Sequence, residues 1–118
     1  MVSDKVALRS RILETANMII TIEGGPVQVE DVLIVAAPMF FNSTYGTSIL
    51  KDNGHVVLRV AVKRPPEQVV DTILHEVAHV LLGLKHIDNP DHGPVFQGVY
   101  KDLKRKYSDV VIWQLAGH

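Results

Sequence analysis

The chain reads as one α+β domain spanning residues 1–118, and three observations lead there. Helical apolar spacing occupies the beginning and the later half of the chain. Two extended runs meet at Asn53-Gly54 in the middle. The elements do not alternate strand, helix, strand as a parallel α/β fold requires. The expected order is helix, strand, hairpin, helix, loop, helix and tail, with a small, mainly antiparallel sheet. A chain of 118 residues is long enough to bury one continuous core without staples.

From Asp4 to Ile22 the apolar residues Val6, Leu8, Ile12, Leu13, Ala16, Ile19 and Ile20 recur at mostly helical spacing, with Ser3 or Asp4 available as N-cap. Gly24-Gly25-Pro26 ends that helix. Val27 to Ala37 is rich in β-branched residues, and its centre VLIVAA predicts a strand buried on both faces, closed at Pro38. Tyr45 to Lys63 predicts a hairpin with a two-residue type I′ turn at Asn53-Gly54. Its second strand places Val56, Leu58, Val60 and Val62 on one face. Pro65-Pro66-Glu67 opens a helix that runs to about Gly83, since proline suits the first helical position and a carboxylate the first turn. HIDNPDHG, residues 86–93, reads as an irregular loop. Pro94 opens another helix, on which Phe96, Val99, Tyr100, Leu103 and Tyr107 form an apolar stripe. Asp109 to Leu115 reads as a short terminal strand or packed tail.

Hydrophobic residues make up 47% of the chain and charged residues 21%, the balance of an ordered globular protein. A formal net charge of -1 creates no field that draws the whole molecule onto nucleic acid or an anionic membrane. The absence of cysteine excludes a disulfide framework, a thiolate metal site and a cysteine nucleophile. The N-terminal stretch lacks a signal-peptide apolar core, and no eighteen apolar residues run together. A soluble, cytoplasmic protein with no membrane contact is the expectation.

The run His75-Glu76-Val77-Ala78-His79 is an HExxH motif. On a helix, residues four apart sit one turn apart on the same face, so both imidazoles reach one zinc ion at about 2.0–2.1 Å. Val70, Ile73, Val77, Val80, Leu81 and Leu84 cluster on the opposite face, which lets the helix bury one side and offer the other to a cleft. Glu76 stands about a quarter turn from the histidines, beside the metal without being a ligand. From there its carboxylate takes a proton from metal-activated water.

Two histidines call for a third ligand, with His86, His92, Asp88 and Asp91 available. His86 lies about 10 Å along the axis if the helix continues that far, so it serves only if the chain breaks at Gly83 and doubles back. It also misses the register of the metzincin pattern HExxHxxGxxH. His92 precedes Gly93-Pro94 at a helix start, where the chain can fold back. It is favoured over the runner-up His86.

The stretch ILHEVAHVLLGLKHIDNPDHGPVFQGVYKDL resembles the SprT/Spartan-like metallopeptidases, through HExxH followed by a third histidine in an HGxxF motif, here His92 to Phe96. VVLRVAVKRPPEQVVDTILHEVAH resembles the hairpin strand leading into that family's active-site helix. The similarity spans roughly Tyr45 to Trp113. The resemblance implies a zincin-like fold and a zinc-dependent endopeptidase acting on protein or peptide substrates. It further implies one zinc per chain held by His75, His79 and His92, Glu76 as general base, and Phe96 packed behind the third ligand. The cysteine-based zinc module that many relatives add has no counterpart here. A rival reading is a metal-stabilised, DNA-associated binding or regulatory module with little proteolysis. Retention of Glu76 argues against it, because a structural zinc site needs no base.

Lys101, Lys104, Arg105 and Lys106 form a basic cluster from which only weak, salt-sensitive DNA contact is expected, since cations in the last turns of a helix usually serve the dipole. Tyr45, Tyr100 and Tyr107 read as packing residues with wet hydroxyls, and Met39, Phe40 and Phe41 as core or loop anchors.

Overall fold

A computed structural model describes residues 2–35, 46–51, 53–83 and 93–117, with side chains from residue 5 onward. Three helices and three strands follow in the order α1 (Val2–Ile22), β1 (Val29–Val35), β2 (Gly46–Leu50), β3 (Val56–Ala61), α2 (Pro66–Leu82) and α3 (Pro94–Leu115). No described helix is long and apolar enough to cross a membrane.

α1 ends as its glycines dictate. Gly24 takes φ 72, the Gly25 N–H donates to the Ile20 carbonyl at 2.8 Å, and the Gly24 N–H to Thr21 at 3.2 Å. These are the paired bonds of a Schellman cap, which needs a left-handed residue. Ile12, Ala16, Ile19 and Ile20 are fully buried, whereas Val6, assigned to the same stripe, is 60% exposed. The Asn17 amide fastens α1 to β1. It donates to the Val29 carbonyl at 2.9 Å and accepts the Val29 N–H at 2.7 Å.

The sheet is mixed rather than mainly antiparallel. Its order is β1-β3-β2, with β1 parallel to β3 and β2 antiparallel to it. The strand that completes the hairpin slots between β1 and β2. That order depends on tertiary packing, which period-2 patterning does not encode. β1 is therefore an edge strand. Val32 is buried and the next residue, Leu33, is 40% exposed, so burial on both faces is not what this strand has. Ala36, Ala37 and Pro38 lie outside the described residues.

The hairpin exists, but its connection differs from a two-residue turn. The Lys51 N–H donates to the His55 carbonyl at 2.8 Å, and the Gly54 N–H to Lys51 at 2.9 Å. Lys51 and His55 close the turn, and Gly54 stands at φ 83. The connection is thus one residue longer than expected, and its last residue is a glycine in the left-handed region.

On β3 the alternation holds from Val56 to Val60 and breaks at Ala61, which is 1% exposed, and Val62, which is half-buried. Val56, Leu58 and Val60 are fully buried, facing the helices, while Val57 and Arg59 are half-buried on the other side. α1 packs on β1, α2 on β2 and β3, and α3 on α1 and α2. α2 is thus the central element. Val70, Ile73, Leu74, Val77, Ala78 and Val80 are all at most 1% exposed.

α3 continues through Leu115, so no terminal strand or irregular tail follows Asp109. The β-branched run there is overridden by spacing, because buried Leu103, Tyr107 and Val111 recur every four residues along one face. The Tyr107 hydroxyl donates to Glu23 at 2.6 Å, tying α3 to the end of α1.

Candidate functional site

α2 presents His75 and His79 one turn apart, both half-buried, with ring centroids 4.9 Å apart at 73°. Two imidazoles on one tetrahedral zinc at about 2.0–2.1 Å have centroids about 5 Å apart. The donor pair and its spacing fit that ion. Among the described residues no group of three or more His, Asp or Glu forms a metal cluster. His86, Asp88, Asp91 and His92 all lie outside the described residues, as does the predicted loop that holds them.

α3 supplies the wall behind the histidines. The Phe96 ring centroid is 4.9 Å from His75 and 4.4 Å from His79, and Tyr100 is 5.3 Å from His75. One turn further, Lys104 pairs with Asp71 at 3.4 Å and lies 5.3 Å over the Tyr100 ring. Asp71, His75 and His79 on α2 thus meet Lys104, Tyr100 and Phe96 on α3 in reverse order. This is the matching of fourth-residue rows that antiparallel helices make. Burial, with Asp71 second, pushes the Tyr100 phenol upward, so it stays an O–H donor at neutral pH. Phe96 is 2% exposed and packs against both motif histidines.

Glu76 packs against β2. It is 5% exposed, and burial pushes its carboxyl from 4.5 up to about 7, opposed by a hydrogen bond from Ser48. A divalent cation held beside it would favour the carboxylate and oppose that rise. The Ser48 hydroxyl donates to Glu76 Oε1 at 2.6 Å and lies 3.4 Å from the Glu76 carbonyl. Ser48 and Gly46 pair with core-facing Leu58 and Val60, so both face α2. A Cβ at Gly46 would stand 2.5 Å from Thr72 Cγ2 and 3.3 Å from Glu76 Cγ and Oε2. The strand backbone therefore approaches the helix only because this residue is glycine.

Ser48 and Gly46 were not among the residues read as site candidates from sequence. An isolated glycine inside a strand run was the available signal.

The basic cluster is largely neutralised. Lys104 pairs with Asp71, Arg105 with Asp102 at 2.6 Å, and Lys106 with Asp102 at 2.9 Å and Glu23 at 3.2 Å. Tyr107 is a packing residue whose hydroxyl is bonded to Glu23. Tyr45, Met39, Phe40 and Phe41 lie outside the described residues.

The model of the SprT-like family matches residues 29–113. This chain belongs to the SprT-like family. Comparison with curated proteins and with solved structures returned no match. The SprT-like match opens at the first residue of β1 and closes within α3, leaving α1 ahead of it. It begins well before Tyr45, where the resemblance seen in the sequence begins.

Proposed function

We propose that this SprT-like protein is a zinc-dependent endopeptidase of zincin type, with His75, His79 and His92 as ligands and Glu76 as general base. The observation that carries the reading is the geometry on one helix: two half-buried imidazoles one turn apart, spaced for one ion, beside a carboxyl that is 5% exposed and held by the Ser48 hydroxyl. His92 is favoured over His86 because Phe96, four residues after it, packs against both imidazoles.

Zinc, when bound, supplies Lewis-acid polarisation of the scissile carbonyl and acidification of water. Glu76 accepts a proton from the attacking water while its oxygen adds to the carbonyl carbon. The same carboxyl then returns a proton to the amine as the C–N bond breaks, leaving one new carboxyl and one new amino terminus. Among the described residues β2 lies at an edge of the sheet and meets Glu76 through Ser48, and an extended protein segment pairing along that edge passes near the carboxylate. Nucleic-acid contact through Lys101, Lys104, Arg105 and Lys106 is weak and salt-sensitive in this reading, because three of the four are already paired with carboxylates.

The test is cleavage of unfolded, fluorescently labelled casein by the zinc-loaded protein. Glu76→Gln keeps fold and metal and loses about 10²–10⁴-fold in rate. Unchanged cleavage by that variant, or no cleavage by the unaltered protein, refutes the reading.

A further inference from the structure

The geometry points to Ser48 as a positioning residue for this reaction, its hydroxyl fixing Oε1 of Glu76 so that Oε2 is the oxygen left to receive the proton. The inference rests on Glu76 being the base, and it adds a residue from a different element. A carboxylate on a long side chain has several rotamers, and a proton acceptor works only when one oxygen is held toward its partner.

Three features on β2 restrict Glu76. Ser48 bonds Oε1 at 2.6 Å, within the range of a well-formed O–H···O bond. Gly46, two residues earlier on the same face, lets the backbone reach within contact of Glu76 Cγ and Oε2. The carboxyl is 5% exposed, so water does little to replace the Ser48 bond. One hydroxyl donates a single proton, and at 3.4 Å the Glu76 carbonyl is a poor competitor for it.

A purely structural Ser48 would only satisfy a buried acceptor, and its loss would appear in stability. A positioning Ser48 appears in turnover. On zinc-loaded protein with labelled casein, Ser48→Ala is expected to lower kcat about tenfold while KM stays within about twofold. Zinc content is expected to match the unaltered protein, while the melting temperature falls because a buried carboxyl loses its hydrogen bond. Ser48→Thr, which retains the hydroxyl, is expected to recover most of the rate. Placed on Glu76→Gln, Ser48→Ala is expected to change nothing further, since both act through one group. A crystal structure of Ser48→Ala is expected to show the Glu76 carboxylate rotated or spread over rotamers.

Unchanged kcat in Ser48→Ala, a carboxylate that keeps its place in that crystal structure, or an equal loss on the Glu76→Gln background overturns the proposal. So does a rate loss matched by loss of metal, or one that Ser48→Thr, with the hydroxyl restored, does not recover. If Glu76→Gln alone cleaves at the full rate, the base assignment fails instead. The crystal structure then still decides whether Ser48 orients the carboxylate.

Discussion

The two sides of α2 handle polar groups in opposite ways. Toward α3, His75 and His79 are half-buried among the rings of Phe96 and Tyr100, with an exposed ion pair, Asp71–Lys104, at the end of the seam. Toward β2, Glu76 is nearly dry and is met by a hydroxyl and a glycine backbone. Rings packed against the two imidazoles restrict where they point. A dry wall with one hydrogen bond keeps a carboxyl near the middle of the pH range. One helix thereby offers two different surroundings to residues that are adjacent in sequence.

The largest expected effect on stability lies on the ring side. Phe96→Ala removes a 2% exposed ring and should cost about 3–5 kcal/mol in denaturant unfolding. Zinc affinity should fall with it, because both imidazoles lose their wall. A loss below about 1 kcal/mol would show that this seam is not packed as described.

On the strand side, Gly46→Ala should cost about 1–3 kcal/mol, since its Cβ would stand 2.5 Å from Thr72 Cγ2. Adding Thr72→Ser removes that methyl and should restore most of the stability. The 3.3 Å approach to Glu76 stays, so the double variant should remain slower on casein than the unaltered protein. Full activity in the double variant would mean that Glu76 tolerates crowding and that the wall is less confining than argued.

The smallest effect belongs to the ion pair. Lys104→Ala should change stability by less than about 1 kcal/mol, because both partners are roughly two-fifths exposed. Cleavage rate should be unaffected. A clear rate change at constant stability would extend the ring side of the site as far as Lys104.

What the sequence made legible is divided along similar lines. Most helix ends were readable because they rest on local chemistry, as with Gly24-Gly25 after α1, Pro66 opening α2, Gly83 closing it and Pro94 opening α3; α1, however, begins at Val2, ahead of the caps expected at Ser3 or Asp4. The meeting of His75 and His79 on one face of α2 was readable because four-residue spacing on a helix is a geometric statement. Strand order was not, because β3 inserts between β1 and β2 through contacts distant in sequence. Burial of β1 was misjudged because the helices cover the Val32 face and leave Leu33 on the other face exposed. The last turns of α3 were mistaken for a strand or tail because a local run, Val110-Val111-Ile112, was weighed above the fourfold spacing of Leu103, Tyr107 and Val111. Ser48 was hidden because a serine in a strand carries no signal until the partner facing it is known.

The central claim is that His75, His79 and a third histidine hold one zinc while Glu76 stands by as base. Diffraction from zinc-loaded crystals at the zinc absorption edge, compared with zinc titrations of His92→Ala and His86→Ala, tests it most directly. The account predicts one anomalous peak per chain, bonded to His75, His79 and His92 at about 2.0–2.1 Å with Glu76 outside the ligand set. It further predicts that His92→Ala weakens zinc far more than His86→Ala. A peak bonded to His86, a peak with Glu76 as ligand, or no peak at the His75–His79 pair would contradict it.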